Sequence, residues 1–156
     1  MSTNTVIAKP WEQLTPDEVF EMAKLRSDVF YLEQKITEEE LDRFDRASST
    51  RHYWIEDAGG FAAYLRLVRD ATDEDTKSAT SRSIGRVVVR SDRRGEGLAQ
   101  LLMERVVADL GADSLLLHSQ VYVTDLYHKF GFREFGDQFD EAGIPHIAMR
   151  RQPDQG

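Results

Sequence analysis

The sequence predicts an α/β (α+β) fold built on a mixed, mostly antiparallel twisted sheet, with a central parallel strand pair and helices on both faces. Three observations predict it. A β-branched run, a glycine-containing turn, a helical stretch and a second apolar run follow one another from Ile84 to Leu117, the order of a parallel crossover unit. Strand-like runs joined by Gly59-Gly60 before that unit, and by a Gly143 turn after it, read as antiparallel hairpins. Helical apolar faces open near the N-terminus and again after the central turn. At 156 residues the chain makes a single domain, residues 1–156, able to bury roughly 68–70% of the surface it exposes when unfolded. Its ends, about 1–4 and 152–156, are expected to be flexible.

Taken in order, Thr5 to Ala8 reads as a first strand, closed by Pro10. In Thr15-Pro16-Asp17-Glu18, Thr15 caps a helix, Pro16 suits its first position and Glu18 completes a capping box. Val19, Phe20, Ala23 and Phe30 supply its apolar face to about Tyr31. Glu33 to Arg46 is acidic, with Glu38-Glu39-Glu40 at its middle; it reads either as a solvated helix face or as one side of a site for a cationic amine. His52 to Asp57 and Phe61 to Val68 are the arms of a hairpin, and the polar stretch Asp70 to Ser81 is expected to be a mobile connection. Ile84 to Val89 reads as a strand buried on both faces. After a turn from Ser91 to Gly97, a helix from about Glu96 to Leu110 carries Leu98, Leu102, Val106 and Leu110 on one side and stops at Gly111. Leu115 to Leu117 begins another buried strand. Val121 to Phe130 fits a short helix stopped by Gly131, and Phe132 to Phe135 and Pro145 to Arg150 fit the last two strands.

Composition narrows the function classes. The chain has no Cys, which excludes disulfides, thiolate metal sites and a cysteine nucleophile, and suits a reducing compartment. The net charge of -8 argues against nucleic acid or an anionic membrane as partner. No apolar run approaches the roughly 18 residues a membrane span needs, and the first residues lack the apolar core of a signal peptide. A cytoplasmic protein is expected. The four histidines show no metal-site spacing, so no metal is expected.

The most informative stretch is Arg90-Ser91-Asp92-Arg93-Arg94-Gly95-Glu96-Gly97-Leu98-Ala99. It leads from a strand through glycines straight into a helix. The first amides of a helix lack internal partners and carry partial positive charge, and glycines let an anion approach the backbone, so this is a candidate phosphate cradle. Arg82, Arg86, Arg90, Arg93 and Arg94 stand against Asp92 alone, a local reversal of sign in an acidic chain. Neither the P-loop pattern GxxxxGK(S/T) nor the dinucleotide pattern GxGxxG is met.

Arg94-Gly95-Glu96-Gly97-Leu98-Ala99 resembles the Q/R-x-x-G-x-G/A signature of the GNAT superfamily of N-acetyltransferases. Leu126-Tyr127-His128-Lys129-Phe130-Gly131-Phe132 is similar to the block that follows that family's next strand. Leu25 to Gln34, Ile84 to Val89 and Gly143-Ile144-Pro145-His146 resemble the ElaA-like branch. The resemblance implies that acetyl-CoA is the acyl donor, with Val87, Val88 and Val89 beside its pantetheine arm. It further implies that the backbone amides of Arg94, Gly95, Glu96, Gly97, Leu98 and Ala99 hold its diphosphate.

The implied reaction joins an amine to a thioester carbonyl. An alkylamine with a pKa of ~10.4 is almost wholly protonated at neutral pH, so a base is useful, and the leaving sulfur needs a proton donor. By the resemblance, Tyr127 lies near that sulfur and is the candidate acid or hydrogen-bond donor, the alternative being a core tyrosine between Leu126 and Phe130. Without Cys, direct transfer in a ternary complex is the simplest scheme. His118, at the end of its strand, and Glu33, at the end of the first helix, are candidates for the base, and His146 for contact with the acceptor amine. A module that binds acyl-CoA without turnover is the second reading. Exposed edges in a mixed sheet suit a homodimer.

Overall fold

The computed structural model describes residues 4–69 and 82–154. The stretch from Asp70 to Ser81, expected to be a mobile connection, lies outside the described residues. The strands are β1 (Ile7–Pro10), β2 (Arg51–Asp57), β3 (Gly60–Arg69), β4 (Arg82–Val89), β5 (Leu115–Gln120), β6 (Arg133–Glu141) and β7 (Ile144–Arg151). They form one sheet in the order β1-β2-β3-β4-β5-β7-β6. Every neighbouring pair is antiparallel except β4 and β5, which are joined by the crossover helix α2 (Leu98–Leu110). The helices α1 (Pro16–Arg26) and α3 (Thr124–His128) complete the frame.

Strand alternation sorts the core into two layers. On one face Tyr53, Ile55, Leu65 and Leu67 pack under Leu98, Leu102, Met103 and Val106 of α2, with Tyr127 of α3 and Phe132 alongside. On the other face Trp54, Tyr64, Phe61 and Val88 receive Met22 and Leu25 of α1 and Val29 beyond it. The capping box at Thr15 forms as expected: the Glu18 amide donates to Thr15 Oγ1 at 3.1 Å, and the Thr15 amide donates to Glu18 Oε1 at 2.9 Å. Past Arg26 the helix widens into a π-helical stretch, Ser27–Glu33. The buried face therefore differs from the periodic reading. Phe20 stays exposed, while Arg26 is fully buried.

Two further expectations are corrected. The segment from Glu33 to Arg46 is not a solvated helix. Its 3-10 turn, Arg43–Arg46, turns Asp42 and Asp45 inward onto basic side chains. Arg26 donates to Asp45 at 2.7 Å and to Glu40 at 2.7 Å, and Arg66 donates to Asp42 at 2.6 Å and to Asp45 at 3.0 Å. The last hairpin is longer than its apolar runs suggest, because β6 continues past an irregularity at Gly136 (φ +74°) to Glu141.

Strand β4 is half-buried rather than buried on both faces. Its register against β3 shifts opposite Leu65, where Arg86 sits at φ +53°. This bulge resets the alternation. Ile84, Val87 and Val89 face the α2 side, whereas Val88 points into the opposite layer.

Candidate active site

Beyond the pairs Arg82–Leu115, Ser83–Leu116 and Ile84–Leu117, β4 and β5 part company, and a cleft of about 870 Å3 opens between them. Its lining comes from both faces of the sheet. Leu126 and Tyr127 approach with α3, while Phe30, Gln34 and Glu38 to Glu40 close the α1 side. The cleft thus takes its walls from both faces, and this placement follows from parallel strands held together at only one end.

The turn leading into α2 lies beyond the open end of β4. Gly95 (φ +81°) and Gly97 (φ +77°) occupy the left-handed region, which a side chain disfavours. A Cβ built on either meets no protein atom within 4 Å, so the backbone there faces open space. Gly97 is the N-cap of α2 and supplies no side-chain cap, and the helix starts at Leu98 rather than near Glu96. Uncapped amides at the head of a 13-residue helix, reached across two glycines, fit a diphosphate.

The arginines nearby do not form the free positive patch the sequence suggests. Asp57 binds Arg90 at 2.6 Å and Arg93 at 2.6 Å, Asp92 takes Arg90, and Glu96 takes Arg93. The hydrogen bond from Arg90 leads the effects that hold the Asp57 carboxyl far below its ordinary value. Arg94 makes a two-pronged pair with Glu33, at 2.6 and 2.9 Å, and donates to the carbonyl of Val89. Glu33, a candidate base, is therefore tied to the cradle and is absent from the residues lining the cleft. Its carboxyl is lowered by the bond from Arg94, which makes it a weaker base.

Tyr127 lies in the cleft wall, 6% exposed, its ring edge-on to Phe132. Burial pushes its phenol up to about 12. It stays protonated throughout the neutral range, and as an acid it is several units weaker than an ordinary thiol at ~8.5. Of the three valines of β4, Val87 lines the cleft, and Val88 turns its side chain away.

His118 and His146 meet on the opposite part of the wall. The side chain of His118 is 55% exposed, and its Nδ1 lies 3.0 Å from Glu141 Oε1. His146 is buried; its Nδ1 donates to the carbonyl of Ile144 at 2.7 Å, and its Nε2 lies 3.5 Å from Glu141 Oε2. Sequence reasoning missed Glu141, which carries no motif and reaches His118 only through the register of β5, β7 and β6. It counted Arg86 with the basic cluster near the cradle, whereas its guanidinium lies beside the cleft and holds Glu40 at 3.1 Å. Among the described residues no three His, Asp or Glu side chains are placed to hold a metal ion, and no helix is long and apolar enough to cross a membrane.

The family model of the acetyltransferase (GNAT) domain matches residues 12–153. A UPF0039 protein of Mycobacterium tuberculosis is 35% identical over 134 residues, 85% of this chain and 83% of the relative. Protein ElaA of Escherichia coli is 30% identical over 146 residues, 90% and 91% of the two chains, and its crystal structure superposes with a TM-score of 0.85 over 95% of this chain and 99% of that one. The crystal structure of an acyl-CoA N-acyltransferase from Pseudomonas aeruginosa is 32% identical, with a TM-score of 0.83 over 94% of this chain and 99% of that one. A sheet that parts between β4 and β5, a glycine cradle at the head of α2 and these likenesses agree: the chain belongs to the GNAT family of acetyltransferases, enzymes whose acyl donor is acetyl-CoA.

Proposed function

We propose that the protein moves an acetyl group directly to a primary amine, with donor and acceptor bound together. The observation that supports this reading is the cleft where β4 and β5 part, which takes its lining from both faces of the sheet and has Tyr127 and His118 in its wall. When bound, acetyl-CoA supplies the thioester. The amides from Arg94 to Ala99 hold its diphosphate, with Arg94 exchanging Glu33 for phosphate oxygens, and the backbone of Val87, Val88 and Val89 runs beside its pantetheine arm. Tyr127 donates a hydrogen bond toward the departing sulfur. His118 takes a proton from the amine, and His146 contributes to the acceptor pocket.

The acceptor side is acidic. Glu38 and Glu39 stand in its wall, while Glu40 is neutralised by Arg26 and Arg86. A carboxylate touching the reacting nitrogen would keep it protonated, so Glu38 and Glu39 suit a second, remote positive charge on the acceptor. The reading includes a cytoplasmic location and a homodimer through the edge strands β1 or β6.

Free-thiol release from acetyl-CoA across a panel of mono- and diamines, with calorimetry of coenzyme A binding, tests the reading. Amine-stimulated release, strongest for diamines, is expected. Coenzyme A binding without stimulated release by any primary amine overturns the acceptor class.

A further inference from the structure

The geometry points to Glu141 as the positioning carboxylate of a proton relay, in which it orients His118 so that Nε2 accepts the proton of the acceptor amine. The inference rests on the acetyltransferase reading above and names the residue that makes its base work.

Sheet register brings the three together. His118 pairs with Ala148, Gln120 with His146, His146 with Phe139, and Glu141 with Ile144. Alternation then sets His118, His146, Phe139 and Glu141 on one face of β5, β7 and β6, the face that walls the cleft. Phe139 lies between the imidazoles, edge-on to His118 at 5.0 Å and stacked on His146 at 6.1 Å. Glu141 closes a two-residue turn whose members, Ala142 (φ +54°) and Gly143 (φ +79°), both sit at positive φ, as a tight β-hairpin turn requires. The carboxylate is therefore carried on ordered backbone.

Chemistry assigns the roles. An ionised carboxylate only accepts, so the 3.0 Å contact fixes the proton of neutral His118 on Nδ1 and its lone pair on Nε2. His146 donates from Nδ1 to a carbonyl, so its Nε2, 3.5 Å from the other carboxylate oxygen, can donate to Glu141 only when both ring nitrogens carry protons. Glu141 stays ionised because the bond from His118 outweighs its burial. Among the described residues, the other charged and titratable groups lining the cleft beside the relay are Arg86 of β4, Glu38, Glu39 and Glu40 of the acidic segment, and Tyr127 of α3. Arg86 disfavours an imidazolium and the three glutamates favour it, but Glu141 alone of these touches both rings. As the new N–C bond forms and the C–S bond breaks, the amine proton passes to His118 Nε2. The sulfur takes its proton from solvent while Tyr127 donates a hydrogen bond to it, and His118 returns its own proton to solvent after release.

Imidazole nitrogen NMR of the isotope-labelled full chain, with and without coenzyme A, reads tautomer and titration midpoint; His118→Gln and His146→Gln assign the signals. The expected result is an Nδ1–H tautomer for His118 and a midpoint lowered by about one unit in Glu141→Gln, with Glu141→Asp between. In thiol release with the best amine of the panel, Glu141→Gln should lower kcat about tenfold, leave the KM for acetyl-CoA unchanged and move the acid limb of the pH profile downward. An Nε2–H tautomer, or a His118 midpoint that Glu141→Gln leaves in place, overturns the relay even where transfer is intact. Shifted spectra with unchanged kcat and pH limb overturn its catalytic role. Absence of coenzyme A binding by the unaltered protein instead overturns the reading beneath it.

Discussion

Tyr127 shows how burial selects among the jobs one side chain can do. A phenol pushed up to about 12 hardly gives its proton to a thiolate, yet it remains a hydrogen-bond donor across the working range. Tyr127→Phe is expected to cut kcat tenfold or more, at about 1.4 kcal/mol per decade, while calorimetric affinity for coenzyme A stays within twofold. Glu33 has two readings that one substitution separates. If it guards Arg94, Glu33→Gln frees the guanidinium and tightens coenzyme A binding severalfold; if it is the base, kcat collapses and affinity stays put. The first outcome is expected. At this scale the sequence singled out the candidates that sit within motifs, Tyr127 and the cradle, and the structure places them in the cleft wall and at the head of α2. The sequence hid Glu141, because a contact spanning 23 positions depends on strand register that no local pattern encodes.

Among the elements, the turn into α2 and the bulge in β4 matter most. Gly97→Ala places a Cβ at φ +77° and should cost about 1–2 kcal/mol of stability by urea denaturation. The same change obstructs the backbone approach, so coenzyme A affinity should fall at least tenfold, more than the stability loss explains. The strand–turn–helix order was legible because glycines punctuate it. The bulge was not legible, since Gly85-Arg86-Val87 reads as unbroken strand and only pairing with β3 displaces Arg86 into the left-handed region. Its consequence is that Val87 and Val89, rather than Val88, share the face of α2. The π-helical widening after Arg26 escaped the helical period for the same reason: tertiary packing of Val29 and Arg26 sets it.

Across the whole molecule, a buried ionic network joins α1, the acidic segment and the central strands. Burial alone would raise the Asp45 carboxyl, but the bonds from Arg26, the Asp42 amide and Arg66 hold it below its ordinary value. A carboxylate depressed in the folded state lends stability above its unfolded pKa of ~3.9 and loses it as pH falls through the folded value. His52, whose Nδ1 meets the Tyr64 hydroxyl at 2.7 Å, is lowered chiefly by burial and resists protonation that the unfolded chain accepts below ~6.5. Urea midpoints should therefore fall from pH 7 to 5, less steeply in His52→Gln, and fall further below pH 4. Asp45→Ala removes the carboxylate shared by two buried guanidiniums, leaving Glu40 to Arg26 and Asp42 to Arg66, and should cost about 3 kcal/mol. Overall topology was readable from element order, whereas this network was not, because a run of acidic residues looks the same in sequence whether it faces water or arginine.

The passage between β4 and β5 has a kinetic corollary. Under the proposed reading, a donor and an acceptor that enter from opposite faces of the sheet need not queue, and either can bind while the other is held. A single compound threaded from one face to the other would be gripped at both ends and would inherit the affinity of each half.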